Sequence, residues 1–245
     1  MPCQMAVRGS FTESFPLFGY DLKDYEALFD EKLDLLQLVN EKTKIDWQGQ
    51  LTQTISDKGV YPRPVQEKLP LWVATGGHVE STVKIARAGL PIVYAIIGGN
   101  PRYFKKLIQA YREIGRDAGH ADKDLKVGAH SWGWIAEDGE QAVKDYFHPT
   151  KQVVDAISKD RPHWQELTYE QYLEQVGPNG AMFVGNPNQV AEKLIRMIEN
   201  LDLDRFMLHL PLGSMPHDQV LRAIELFGTQ VAPKVRAYFA MKEGL

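Results

Sequence analysis

Two glycine pairs stand where an apolar, strand-like run of residues gives way to a helix-like segment. Thr75-Gly76-Gly77 follows the run 69–74, and Ile97-Gly98-Gly99 ends the run 91–97. Glycine lets a ligand approach the backbone closely, and the free N–H groups at the start of a helix favour an anion. One Gly-Gly pair by itself is typical of a tight turn. The two pairs together favour a site for an anion or a phosphate group.

Two polar side chains near these turns could contribute to such a site. Arg8 lies at the end of the first strand-like segment, where a guanidinium group could bind a phosphate through two N–H groups. A surface arginine near the chain terminus is the simpler interpretation of Arg8 alone. Ser81 falls in the first turn after Gly77 and offers a hydroxyl group, although serine is also common at helix starts.

The seven histidines do not have the spacing of a metal site, because no His-x-His or His-Glu-x-x-His pattern occurs. His130 and His209 fall in predicted strands, and one face of a barrel strand points inward, so either could line a pocket. A core histidine with its hydrogen bonds satisfied is the commoner outcome. The sequence also lacks the Gly-x-Gly-x-x-Gly, Gly-x-Ser-x-Gly and Walker patterns.

Strand-like and helix-like segments alternate along the chain, which predicts a parallel α/β sheet. Predicted strands cover residues 4–8, 69–74, 91–97, 125–136 and 205–210, and a predicted helix follows each. The stretch 138–185 contains helix and loop without a clean strand. Glycine pairs on adjacent parallel strands would lie side by side at the C-terminal edge, where α/β proteins bind ligands. Five strands are enough for an open sheet, whereas a closed barrel of this type needs eight.

Composition excludes several classes of protein. The net charge of −4 and the absence of a basic run or stripe argue against nucleic acid as a partner. No apolar stretch approaches the ~20 residues that span a bilayer, and the first residues lack the apolar core of a signal peptide. The only cysteine, Cys3, permits no internal disulfide. These features predict a cytoplasmic protein without membrane contact.

A series of short segments resembles the luciferase-like monooxygenases, in the large branch of flavin-dependent oxidoreductases that emit no light. No single segment is decisive, but the series covers the chain from Arg8 onward. The segments are Arg-Gly-Ser-Phe at 8–11, Glu-Ser-Phe-Pro-Leu-Phe-Gly-Tyr at 13–20, Tyr-Pro-Arg-Pro-Val-Gln at 61–66, Leu-Pro-Leu-Trp-Val-Ala-Thr-Gly-Gly at 69–77, Ile-Ile-Gly-Gly-Asn-Pro at 96–101, Phe-Val-Gly-Asn-Pro at 183–187 and Ala-Ile-Glu-Leu-Phe-Gly at 223–228.

The resemblance implies a fold of the α/β class, the TIM-like (β/α)8 barrel of the luciferase type. We expect a single domain over residues 1–245 that is incomplete, with about five of the eight βα units and without the family's first three strands. We expect the stretch 138–185 to be an insertion that covers the C-terminal face as a lid over substrate. Open strand edges would also favour a homodimer or another self-associated state.

The resemblance also implies a cofactor and the residues that hold it. The expected cofactor is FMN, in reduced form and supplied by a separate flavin reductase, and a deazaflavin is the less favoured alternative. The residues expected to bind it are Arg8, Thr75, Gly76, Gly77, Ile97, Gly98 and Gly99. In this family the reduced flavin reacts with oxygen and a small organic substrate is oxidised, so the flavin carries the chemistry. No catalytic residue can be assigned, because the family's histidine near the flavin ring belongs to the absent strands.

Two other functions remain open from the sequence. A partial barrel could bind flavin weakly or serve only as an assembly partner, without catalysis. The chain could also be an unrelated phosphate-binding α/β protein, which the series of matching segments disfavours. Soaking with FMN would separate that last possibility from the other two, and turnover with reduced flavin and oxygen would separate the enzyme from the non-catalytic form.

Overall fold

The computed structural model describes residues 3–9, 13–160, 164–242 and 244. Ser10 and Phe11, in the first matching segment, lie outside these residues, as does His163. Six of the described strands form one sheet and two form a small hairpin. The strands are β1 (Gln4–Val7), β2 (Ile45–Trp47), β3 (Ile55–Lys58), β4 (Leu71–Thr75), β5 (Ile92–Ala95), β6 (Val127–Ile135), β7 (Phe183–Gly185) and β8 (Arg205–His209).

A helix follows each strand of the main sheet, and the helices cover one side of it. They are α1 (Ser14–Leu17), α2 (Tyr25–Glu41), α3 (Val79–Arg87), α4 (Phe104–Asp117), α5 (Gly139–Asp160), α6 (Tyr169–Val176), α7 (Pro187–Leu201), α8 (His217–Leu226) and α9 (Ala232–Lys242). Short 3-10 turns at Leu22–Asp24 and Pro101–Tyr103 lead into α2 and α4, and a π-helical turn at Phe227–Val231 joins α8 to α9.

An asparagine-proline pair starts each of two helical segments, as the sequence predicts. The side chain of Asn186 accepts hydrogen bonds from two backbone N–H groups of α7, and Gln189 completes a capping box. The side chain of Asn100 accepts from the backbone N–H of Arg102 in the same way. The proline that follows each asparagine costs no hydrogen bond, because the first N–H of a helix has no partner within the helix.

The main sheet is parallel throughout, in the order β1-β4-β5-β6-β7, with β8 also paired to β6. Strand β6 is nine residues long and pairs with three other strands along its length. Strand β1 pairs with β4 and strand β8 with β6, so each has one strand partner in the described part of the chain. The five strands predicted from the sequence, each with its helix, are present.

The two faces of the curled sheet differ in what covers them. Val73, Tyr94 and Ala129 lie on the outer face under the helices and are buried. Because successive side chains of a strand alternate, their neighbours point to the inner, concave face. The strand pairing aligns one row across that face, formed by Val7, Ala74, Val93, Gly128 and Arg205. At its rim Val7 is 60% exposed, so the sheet forms a half-barrel with an open hollow.

The stretch 138–185 contains a strand that the sequence prediction missed. Strand β7 pairs with the last three residues of β6, and three residues are too few to show an alternating pattern. The helices of this stretch pack into the main core. Tyr146 on α5 stacks on Trp134 of β6 with ring centroids 5.9 Å apart, and the Tyr172 hydroxyl donates to the carbonyl oxygen of Val143. The expected covering of substrate by this stretch stays a prediction.

Candidate functional site

Both glycine turns lie at the C-terminal edge of the sheet. Strand β4 ends at Thr75 and β5 ends at Ala95, and the two strands pair in parallel with Thr75 level with Tyr94. Gly76-Gly77 and Gly98-Gly99 therefore leave neighbouring strands in the same direction. Each pair precedes a helical segment, α3 in one case and the Pro101–Tyr103 turn leading into α4 in the other. This arrangement directs backbone N–H groups toward one edge.

The backbone at these turns requires glycine at two positions and leaves open space at three. Gly77 has φ of +101° and Gly99 has φ of +74°, in the left-handed region that other residues rarely adopt. A Cβ atom placed on Gly76, Gly98 or Gly99 would meet no atom within 4 Å. A ligand can therefore reach the backbone at those three residues. At Gly77 the same Cβ would lie 2.8 Å from Phe104, so that glycine serves the packing of α4 as well.

Arg8 points into a cavity of about 270 Å³ between the sheet and helices α2 and α3. Its guanidinium group pairs with Glu26 and donates a hydrogen bond to the Ser81 hydroxyl. Its Cζ atom lies 5.5 Å from the ring centroid of Phe29. Thr75 lines the same cavity, so the structure brings Arg8, Thr75 and Ser81 together. Arg8 therefore contacts side chains of α2 and α3 and is not a free surface side chain.

The other predicted site residues lie beside this cavity, not within it. Gly76, Gly98 and Gly99 face open space along the sheet edge, and the half-buried Ile97 packs against the hydrophobic core. The Thr75 hydroxyl accepts a hydrogen bond of 3.3 Å from the backbone N–H of Gly77, which fixes the first turn. The predicted set thus forms one edge with two parts, a cavity that contains Arg8 and an open glycine rim.

The inner face carries a pair of histidines that the sequence did not bring together. His130 on β6 and His209 on β8 have ring centroids 5.6 Å apart. His130 is half-buried and His209 is exposed, so neither is the enclosed core histidine that is the commoner case. Pairing of β5 with β6 sets His130 level with Ala95, two residues before Ile97. The pair therefore lies on the concave face just below the glycine rim.

The surroundings keep both imidazoles neutral. Burial lowers the pKa of His130, and the neighbouring His209 lowers it further. Burial also lowers the pKa of His209, and this outweighs a hydrogen bond to the carbonyl of Pro211 that favours the charged form. A neutral imidazole has one nitrogen free to accept a proton. The concave face can therefore offer a proton acceptor next to the glycine rim.

The larger cavity and the metal-ligating residue types elsewhere in the described residues indicate a ligand site less strongly than this edge does. A larger cavity of about 690 Å³ lies at the opposite edge, lined by residues that precede the strands, such as Pro70, Pro91 and Lys126. Ligands of parallel α/β proteins bind at the C-terminal ends of the strands. Among the described residues no three histidine, cysteine or acidic side chains lie close enough to hold a metal ion. No described helix is long and apolar enough to cross a membrane.

The parallel, curled sheet with helices on its outer face places the protein in the class of TIM-like α/β barrels. The sequence profile of the luciferase-like monooxygenases matches residues 5–204. The chain belongs to the luciferase-like monooxygenase family, whose members are flavin-dependent oxidoreductases, and by family it is an enzyme. The protein is also 23% identical to the uncharacterized protein y4vJ of Sinorhizobium fredii over 239 residues, which cover 94% of this chain and 67% of the relative.

Solved structures share the fold. Monooxygenase RslO1 from Streptomyces bottropensis superposes with a TM-score of 0.75 at 20% identity, covering 94% of this chain and 67% of that one. An F420-dependent secondary alcohol dehydrogenase gives 0.68 at 16% identity, with coverage of 94% and 68%. The oxygenating constituent of 3,6-diketocamphane monooxygenase from Pseudomonas putida, in complex with FMN, gives 0.61 at 14% identity, with coverage of 95% and 71%. The chain thus spans about two thirds of the length of these relatives.

Proposed function

We propose that this protein is a flavin-dependent monooxygenase that uses reduced FMN and oxygen to oxidise a small organic substrate. The observation that carries the proposal is the match to the luciferase-like family over residues 5–204, which includes both glycine turns. When bound, reduced flavin supplies the electrons that activate oxygen for the oxidation. The residues proposed to hold the flavin are Arg8, Thr75, Gly76, Gly77, Ile97, Gly98 and Gly99.

The geometry of the edge fits such a cofactor. Open space at Gly76 and Gly98 admits a flat or phosphorylated group against the backbone. The side chain of Arg8 is 14% exposed, and its guanidinium group already binds one anion, the Glu26 carboxylate. A phosphate dianion carries more charge than a carboxylate and accepts hydrogen bonds from the same N–H groups. It would therefore compete with Glu26 for Arg8. The Ser81 hydroxyl is within reach of the same guanidinium and could bond the phosphate too.

The proposal also includes the source of reduced FMN, the covering of bound substrate and the location of the protein in the cell. A separate reductase would supply reduced FMN, and structural neighbours in complex with FMN and with F420 keep the deazaflavin as the alternative cofactor. The stretch 138–185 would cover bound substrate and exclude water from the reacting groups. The concave face would position the substrate, with His130 and His209 as its proton acceptors. We place the protein in the cytoplasm.

Flavin titration of matched variants tests the site. Gly76→Val and Gly98→Val introduce side chains into open space, and neither glycine has a positive φ, so the fold should tolerate both. Each should weaken FMN binding by about tenfold or more, because the added side chain takes the space of the ligand. Gly228→Val is the control, since its Cβ also meets no atom within 4 Å and it lies far along the chain in the π-helical turn.

The readouts are quenching of FMN fluorescence on binding, parallel titration with F420, and turnover with reduced FMN and oxygen. If all three variants bind FMN as tightly as the wild type does, the glycine rim is not part of the flavin site. Tighter binding of F420 than of FMN would reassign the cofactor. FMN binding at the rim without turnover of any organic substrate would support a non-catalytic flavin-binding protein in place of the enzyme.

A further inference from the structure

A cationic cavity lies between α7 and the residues that start α4, and Asn100 in its wall directly follows Gly99 of the glycine rim. It has a volume of about 220 Å³. One wall is the 3-10 turn Pro101–Tyr103, the second is the loop 178–180, and the third is one face of α7. Its polar lining residues are Asn100, Arg102, Asn179, Lys193, Arg196 and Asn200.

The charges around this cavity are of one sign. In the part of the chain that the structure describes, no aspartate or glutamate lines it, although the whole protein has 32 acidic residues against 28 basic ones. The guanidinium groups of Arg102 and Arg196 form no ion pair or hydrogen bond with any described residue. By contrast, Arg112 pairs with Asp202 and Arg222 pairs with two glutamates. Two cations without counter-ions beside one cavity leave it ready for an anion.

Lys193 builds the wall of the cavity and is not free to bind a ligand. Its Nζ atom lies 2.6 Å from the carbonyl oxygens of both Gly177 and Met182, and 2.9 Å from that of Val176. An ammonium group has three N–H donors, and these contacts occupy them. The lysine therefore holds the loop that carries Asn179 in a fixed position. The ligand contacts fall to the two arginines and the asparagine amides.

We propose that this cavity binds a phosphate group, as the free ion or as the monoester of a small organic molecule. Arg102 and Arg196 supply planar pairs of N–H donors that match phosphate oxygens, and the asparagine amides add neutral donors. The buried side chains of Phe183, Met197 and Leu201 form an apolar floor that suits the carbon part of an ester. The lining residues differ from those proposed to hold the flavin, although Asn100 directly follows Gly99 in the chain.

Calorimetric titration at constant ionic strength tests the proposal, with inorganic phosphate and phenyl phosphate as probes. Arg102→Gln and Arg196→Gln should each weaken phosphate binding by about tenfold, the loss expected for one charge-assisted contact. Arg236→Gln is the matched control, since Arg236 is an exposed arginine on α9 that lines none of these cavities. Gly98→Val targets the flavin rim, so it should remove only the phosphate that binds there and leave the phosphate bound by Arg102 and Arg196.

The pattern of losses decides between sites. Loss with both arginine variants and none with Arg236→Gln would establish the cavity, whatever the effect of Gly98→Val, and it would stand even if FMN failed to bind. Tighter binding of phenyl phosphate than of inorganic phosphate would assign the ester, and equal binding would assign the free ion. Equal binding by all variants, or a loss confined to Gly98→Val, would overturn the proposal.

Discussion

The rings of His130 and His209 lie 5.6 Å apart on the concave face of the half-barrel, although they come from strands far apart in the sequence. Pairing of β6 with β8 sets His130 level with Met207 and Trp132 level with His209, so the two imidazoles share a face. The contact depends on the strand order, because β8 pairs with β6 directly. It places a pair of proton acceptors on the face that adjoins the proposed flavin edge.

The first prediction concerns the titration of this pair. Burial lowers the pKa of His130 and the neighbouring His209 lowers it further, and burial also lowers the pKa of His209. Both rings therefore become charged only below the ordinary histidine range. His209→Asn should raise the pKa of His130, because one cause of the lowering is removed while the burial remains. NMR titration of the His130 ring would measure the shift, and the acid limb of kcat should move to higher pH in step.

His217→Asn is the control for that experiment, because His217 begins α8 and is exposed to solvent. A His130 titration that is identical in His209→Asn and in the wild type would show that the two rings do not interact in solution.

The second prediction concerns Glu31, whose carboxylate organises the loop after β2. It accepts hydrogen bonds from the Thr52 side chain and from the backbone N–H groups of residues 50–52, and these lower its pKa to about 2. A carboxyl group with a lowered pKa in the folded state stabilises that state above its ordinary pKa of 4.5. The contribution is lost as the pH falls from about 4.5 to about 2.

Glu31→Gln should therefore unfold at lower urea concentration than the wild type at pH 7, and the difference should shrink toward pH 2. Glu113→Gln is the matched control, because Glu113 is exposed and forms no hydrogen bond or ion pair with a described residue. A difference between Glu31→Gln and the wild type that stays constant across this pH range would assign the effect to packing and not to the charge.

The sequence predicts the parts of the fold that local patterns determine. Buried strands such as β4 and β5 show as apolar runs that end at glycine pairs, and Asn186 marks the start of α7 by its capping chemistry. Strand β7 is not predicted, because its three residues are too few to show the two-residue alternation of a strand. The site is less predictable, since the direction of the Arg8 side chain depends on Glu26 in another element. The pairing of His130 with His209 likewise follows from strand order, which no local pattern contains.

The third prediction concerns Lys193, the buried lysine of α7. Its side chain donates to carbonyl oxygens at the end of α6 and in the loop after it, and 8% of the residue is exposed. Lys193→Met keeps the length of the side chain and removes the donors. Buried acceptors without a donor cost about 1–3 kcal/mol, so we expect the free energy of unfolding to fall by about 2 kcal/mol. Urea unfolding followed by circular dichroism would measure the change.

Lys144→Met provides the comparison, because Lys144 is exposed on α5 and makes no hydrogen bond with a described residue. Equal stability of Lys193→Met and Lys144→Met would mean that the carbonyl oxygens around Nζ find other donors, such as water, when the lysine is absent.

The fourth prediction concerns the edge of the sheet. Strand β1 pairs with β4 alone among the described strands, so the backbone groups on its other side have no strand partner there. Val7 is 60% exposed and Met5 is 38% exposed on the concave face beside it. Exposed strand edges with apolar side chains favour pairing with another chain. We expect this polypeptide to self-associate through β1, with a sedimentation coefficient that rises with concentration.

A charge at the edge should oppose that association. Val7→Lys places an ammonium group on β1, and charged residues on edge strands disfavour strand pairing between molecules. The variant should sediment as a monomer at concentrations where the wild type associates. Val65→Lys is the matched control, because Val65 is fully exposed in the segment before β4 and lies outside the sheet. A wild type that is monomeric at every concentration, or equal association of Val7→Lys and Val65→Lys, would exclude β1 as the contact surface.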